Sequence, residues 1–144
     1  MATFYRHTQP GIVMIAALAP GAAIVAFAAF VIPVSGVRWI LVAMAVGLII
    51  LAWLFSSLTV EVHAQEVRWH FGPGFWRYRL ALAEIAAAEP VRNSWLNGFG
   101  IRIGPGVRLY NVSGLDAVEL RLKSGEIRRL GTDDPQGLAA AVKP

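Results

Sequence analysis

Between Pro10 and Ser57 the chain is almost wholly apolar, and Arg38 is its only formal charge. A helix needs about 20 mostly apolar residues to cross the hydrocarbon core of a bilayer. Two such lengths lie here back to back. The pattern predicts spans at residues 12–34 and 39–57, joined by the turn signal Pro33-Val34-Ser35-Gly36. So short a connection forces an antiparallel hairpin with both of its ends on one side. Residues 1–10 read as an N-terminal tail and residues 58–144 as one small domain.

From Leu58 the hydrophobic period changes to two. Leu58, Val60 and Val62 share one face and Thr59, Glu61 and His63 the other. After Ala64-Gln65 the alternation resumes with Val67, Trp69 and Phe71 against Glu66, Arg68 and His70. This is the pattern of a hairpin with one buried face. A two-residue turn sets Val62 opposite Val67, Glu61 opposite Arg68, Val60 opposite Trp69 and Thr59 opposite His70. Both faces then agree, apolar with apolar and acid with base.

Further strands are expected at residues 76–82, 85–91, 100–103, 107–112, 118–122 and 127–130, separated by glycine and proline signals. Asp134 can cap a final helix with Pro135 at its first position, where the missing N–H costs nothing. Leu138, Ala141 and Val142 form its apolar stripe. The expected fold is a two-helix transmembrane hairpin followed by an α+β domain. Its roughly seven antiparallel strands would form a partly closed barrel, capped by one C-terminal helix.

The last hairpin conflicts with itself. A two-residue Ser124-Gly125 turn pairs Leu122 with Ile127, but it also sets Leu120 opposite Arg129. Burying an unpaired guanidinium costs several kcal/mol. A bulge at Arg128-Arg129 would restore the phase, with Ile127 and Leu130 inward and an arginine outward for a partner, phosphate or nearby acid.

Composition narrows the chemistry. There is no cysteine, so disulfides and thiolate sites are not available. Lysine occurs only at Lys123 and Lys143, so the positive balance comes from arginine. These arginines alternate with acids along the strands, whereas a nucleic-acid footprint needs a one-signed cluster. Neither apolar stretch holds an ionisable residue, which argues against a proton relay or ion pathway. Instead, small residues recur at packing distance: Ala17 with Gly21, Ala22 with Ala26, Ala43 with Gly47. Pro20 removes a backbone donor within the first span, and Trp39 suits a membrane interface. A cleaved signal peptide ending near Ala26-Phe27-Ala28 fits less well, because the apolar run continues to Val34 and a second span follows.

No catalytic constellation emerges. His63 and His70 lie on the polar face of one hairpin without a third ligand, and a metal needs three or four. Glu84 and Glu89 have no accompanying nucleophile or oxyanion donor. The glycines at 98, 100 and 104 miss the dinucleotide spacing, and no helix follows them. Asn111-Val112-Ser113 matches a glycosylation sequon by chance. The suggestive cluster is Phe71, Phe75, Trp76 and Tyr78 with Arg77 and Arg79, joined by Trp95 and Phe99 farther on. Rings beside arginines suit lipid headgroups, a protein interface or, for the rings alone, the core.

The blocks Gly100-Ile-Arg, Leu109-Tyr-Asn-Val-Ser-Gly114, Ala117-Val-Glu-Leu120 and Gly131-Thr-Asp-Asp-Pro135 resemble the signature of small bacterial membrane proteins carrying a pleckstrin-homology-like (PH-like) domain. The resemblance implies a PH-like fold, an inner-membrane location and an interaction or oligomerisation role without catalysis. A phosphoinositide headgroup is not expected, since the loop between the hairpin strands is only Ala64-Gln65. The functional expectation is a non-enzymatic, membrane-anchored scaffold without cofactor or metal. It would bind the bilayer and a protein partner or a second copy, through Phe75 to Arg79, Trp95, Phe99, Arg128 and Arg129. The alternatives are an anionic lipid sensor and an accessory subunit of a larger membrane complex. Arginines after the second span place both termini in the cytoplasm.

Overall fold

The computed structural model describes residues 3–143. Strand β1 (Thr3–Pro10) leads directly into helices α1 (Ile12–Val31) and α2 (Ser35–Leu54). Then come β2 (Ser57–His63), β3 (Glu66–Phe71), β4 (Arg77–Ala81), β5 (Ile85–Arg92) and β6 (Gly100–Gly104). β7 (Val107–Asn111), β8 (Asp116–Leu122), β9 (Ile127–Gly131) and α3 (Pro135–Val142) complete the fold.

Both long helices are apolar enough to cross a membrane, with mean hydropathies of 2.4 and 2.3. They pack against each other through Ala22, Ala29 and Ala45, all buried. Gly21 faces Leu48, but Gly47 has open space beside it, and Ala17, Ala26 and Ala43 are exposed. The hairpin thus uses only part of the small-residue pattern. Around it, Ile24, Phe27, Phe30, Ile49 and Trp53 turn outward. α1 continues through Pro20. The expected boundaries shift: α2 begins at Ser35, so Arg38 stands in its first turn instead of the connecting loop. Arg38 donates from Nε and Nη2 to the Ile32 carbonyl, at 3.3 and 3.1 Å. A cation at the C-terminal end of α1 satisfies a carbonyl that the helix leaves orphaned.

The residues expected as a tail form an edge strand. β1 pairs antiparallel with β2, Arg6 opposite Glu61 and Pro10 opposite Ser57. The domain therefore grows from both ends of the helical hairpin. The β2–β3 hairpin has the expected register from Thr59↔His70 to Val62↔Val67. The strands form a four-stranded sheet, β1-β2-β3-β4, and a five-stranded one, β5-β8-β9-β7-β6. The sheets do not close into a barrel, which corrects that expectation: β7 and β9 pair in parallel, β9 fills the middle of the second sheet, and among the described residues no strand bridges to the first. Leu58, Val60, Trp69, Phe71 and Leu80 from one sheet meet Ile85, Tyr110, Val118, Leu120 and Leu130 from the other. α3 closes one side of this core with Leu138, Ala139 and Val142. Asp134 accepts from the Gly137 amide at 3.0 Å and Pro135 holds the first helical position, as expected.

The last hairpin resolves its conflict in the turn. The Gly125 amide donates to the Leu122 carbonyl and the Leu122 amide to the Glu126 carbonyl, both at 2.9 Å. Gly125 has φ +90°, the left-handed residue that closes a three-residue loop. The extra residue sits there and not at Arg128-Arg129, and the ladder runs unbroken from Arg121↔Ile127 to Ala117↔Gly131. Leu130 points inward and Arg129 outward, as expected, whereas Ile127 turns to the outer face beside Arg121 and Arg129.

Candidate functional site

The rings and arginines of the expected cluster separate into three places. Tyr78 belongs to the core: it stacks on Trp69 with centroids 5.6 Å apart and meets Tyr110 at 4.9 Å. Burial pushes its phenol above the usual tyrosine value, so the ring stays neutral in the packed layer. Phe75 and Trp76 project from the β3–β4 turn, and Trp95 from a short 3-10 turn between β5 and β6, with Phe99 half-buried behind it. Arg77 and Arg79 lie on the outer face of the four-stranded sheet.

That face carries charge in rows, because residues in register across a sheet share one side. One row reads Arg6, Glu61, Arg68, Arg79 and the next Thr8, Thr59, His70, Arg77. The first row, with His70 and Arg77 of the second, lines an open cleft of about 550 Å³. Arg6 pairs with Glu61 at 3.3 Å, and Arg68 pairs with Glu66. Arg79 stands directly opposite Arg68, a like-charge pair that destabilises unless an anion shares it. Among the described residues no acid pairs with Arg77 or Arg79; Arg77 Nε donates only to the Gly74 carbonyl, at 3.0 Å. Four guanidinium groups face two carboxylates, so the cleft is electropositive.

Arg6 was invisible as a site residue, since nothing in residues 1–10 announces a strand paired to β2. Glu61 and Arg68 were legible as a cross-strand pair, but their meeting with Arg79 depends on the β3–β4 register.

Arg128 and Arg129 serve the fold. The Arg128 side chain is 13% exposed and donates to Glu126 at 2.6 Å. Arg129 reaches Glu119 at 2.8 Å and Asn93 Oδ1 at 3.3 Å. Glu119 is 5% exposed and also accepts from Arg121 Nε at 2.9 Å. Burial would raise its carboxyl, but the hydrogen bonds and charges of Arg121 and Arg129 together outweigh it and hold the group below the usual carboxylate value. A smaller groove of about 170 Å³ lies between Arg102, Leu109 and Arg129.

His63 and His70 do not converge. His63 is buried with Nε2 at 3.4 Å from Glu61, four residues along β2 from the partner of His70, or about 13 Å. No group of three or more histidine or acidic side chains gathers as metal ligands among the described residues. Compared with known proteins, the chain matches no family model and no curated sequence.

Proposed function

We propose that this chain is a non-catalytic, membrane-anchored interaction module whose arginine face holds an acidic segment of a protein partner beside the bilayer. The observation that carries the reading is the pair Arg77 and Arg79, cations without acidic partners in an open cleft fixed to the end of α2. Charge complementarity makes the occupant anionic. Its extent favours a protein segment. The row of Arg77 stands two residues beyond Ser57 along β2, about 7 Å, and the row of Arg79 about 13 Å. A headgroup layer is only about 5–8 Å thick, so an extended acidic chain reaches both rows where a bilayer lipid reaches one.

The PH-like resemblance of residues 100–135 supports a bacterial inner membrane and an interaction role, and the strand-rich order ending in one helix is compatible with it. β1–β2 pairing puts both ends of the helical hairpin on one side. Arg6, Arg68, Arg77 and Arg79 make that side cytoplasmic under the positive-inside rule. Reporter fusions at Pro144 should be active in the cytoplasm; activity confined to the periplasm overturns this orientation.

For the cleft, the test is binding of a labelled oligoglutamate peptide to the full-length protein in neutral-lipid nanodiscs. We expect affinity that falls with salt and drops at least about tenfold in the Arg77→Glu, Arg79→Glu double variant. Equal binding by the variant sinks the proposal. A second reading, recognition of anionic lipid, is favoured by the closeness of Arg77 to the helix end. It predicts no peptide binding, but instead enrichment of anionic lipid around the wild-type protein and not the double variant.

A further inference from the structure

In the domain outside the helical hairpin, six large apolar side chains are strongly exposed among the described residues: Phe4, Phe75, Trp76, Trp95, Leu96 and Ile103. Phe4 and Ile103 are isolated at the end of the domain away from the helices. The other four lie on two loops at the end from which the helices leave. The β3–β4 turn is pinned to α2: a Cβ on Gly72 would sit 2.6 Å from the Leu54 carbonyl oxygen and 2.7 Å from that of Trp53. The Phe75 ring meets the Trp53 ring edge-on, with centroids 5.9 Å apart. Trp53 is itself half exposed, in the last turn of α2.

The β5–β6 connection reaches the same end by another route. The Asn93 amide donates to the Leu115 carbonyl at 2.7 Å, and Gln9, three residues before the start of α1, donates to the nearby Ser113 carbonyl at 2.9 Å. Beyond the connection, Gly100 faces the Phe55 ring that follows α2. Neither loop, Gly72 to Trp76 or Ser94 to Gly100, holds a charged residue. Each has an arginine at its base folded back on a loop carbonyl, Arg77 to Gly74 at 3.0 Å and Arg102 to Phe99 at 3.2 Å. Apolar tips over cations match the layering of a bilayer interface, rings at the acyl boundary and guanidinium groups among phosphates.

α2 has 20 residues, about 30 Å, which equals the hydrocarbon thickness. Its last turn, and with it Phe75, then lies at the boundary. We propose that these two loops insert into the headgroup–acyl boundary of the bilayer and seat the domain on it, with Phe75, Trp76, Trp95 and Leu96 as the inserted side chains. The inference rests on the membrane-anchored reading above, but not on the arginine cleft.

The chain has no cysteine, so single-cysteine labelling is clean. The experiment places an environment-sensitive fluorophore at Leu96→Cys, Phe75→Cys, Ile103→Cys or Met44→Cys in the full-length protein, reconstituted in phosphatidylcholine vesicles. All four positions are exposed, so the label displaces no core side chain. Lipids spin-labelled near the headgroup or deep in the acyl chain supply the quenching. Labels at 75 and 96 should be quenched at least about twofold more than the label at 103 by the shallow probe, as expected of interfacial side chains. The Met44 label should respond to the deep probe. If Met44 responds while 75 and 96 behave like 103, the seating is wrong and the anchor stands. If the Met44 label responds to neither probe, both fall.

Discussion

Replacing Glu119 with alanine is expected to destabilise the domain by about 3 kcal/mol, the cost of breaking a buried ion pair by removing one partner. Glu119 lies on β8, the second strand of the five-stranded sheet, between Glu89 on β5 and Arg129 on β9. Its two oxygens accept from Arg121 and Arg129, each at 2.9 Å. Removing the carboxylate leaves Arg129 part-buried with only Asn93 to receive it. Arg121 suffers less, since Glu89 remains at 3.5 Å in solvent. Glu119→Gln keeps an oxygen acceptor and should lose less. The same carboxylate makes stability depend on acid. Its value is lowered in the folded chain from the ordinary 4.5, so the folded state binds fewer protons than the unfolded one between the two values. The contribution is therefore complete above about pH 4.5 and disappears as pH falls through the lowered value. Denaturant unfolding followed by near-UV circular dichroism reports on the Trp69, Tyr78 and Tyr110 stack. An unchanged midpoint in Glu119→Ala, or an acid limb identical to wild type in Glu119→Gln, would show that the cluster is not structural.

The parts of this fold that alternation alone specifies were legible. Val60 opposite Trp69 and Glu61 opposite Arg68 follow from a period of two and a two-residue turn. The cap at Asp134-Pro135 is equally local. What escaped depends on partners far along the chain. β1 buries few apolar side chains. Its inward positions include Tyr5 and Gln9, which make sense only against Asp134 and Ser113, their hydrogen-bond partners at 3.0 and 2.9 Å. Burial first, and then the Asp134 carboxylate beside it, raise the Tyr5 hydroxyl above its usual value and keep it a donor. Nothing in the first ten residues carries that information. The parallel pairing of β7 with β9 was hidden for a related reason: alternation assigns a face to each strand, but not a neighbour.

The last hairpin shows the limit of register arithmetic. The clash between Leu120 and Arg129 was real for a two-residue turn; the extra residue sets Arg129 opposite Glu119 and puts Arg128, held by Glu126, opposite Leu120. Gly125 can take a positive φ without strain, so the cheaper place for that residue was the loop, leaving every ladder bond intact. The cluster from Phe75 to Arg79 divides for the reason that strands alternate. Tyr78 turns inward between two arginines that turn outward, and the rings before them lie on a turn held to α2. Reading residues 75–79 as one patch merged three environments.

The junction between helices and domain yields the other large effect. Gly11→Ala is expected to cost about 3 kcal/mol, at the upper end for overpacking a site with no room to relax. The backbone of Gly11 has φ −81°, which alanine can adopt, so the glycine is required for space. A Cβ there would lie 2.3 Å from the Phe55 carbonyl oxygen and 3.0 Å from the Ser56 carbonyl. Both obstacles are backbone, and the Gly11 amide already donates to the Ser56 carbonyl at 2.7 Å. This close crossing ties the start of α1 to the end of α2 just below the Pro10↔Ser57 pair of the sheet. Pushing it apart strains the β1–β2 ladder and separates Arg6 from Glu61 at the edge of the arginine cleft. Gly47→Ala is the control: its Cβ would meet nothing within 4 Å, and alanine in a helix interior gains up to about 1 kcal/mol over glycine. Thermal unfolding of the two variants in the same micelle separates the cases. Equal midpoints would mean that the domain tolerates movement at this crossing and is not rigidly joined to the helices.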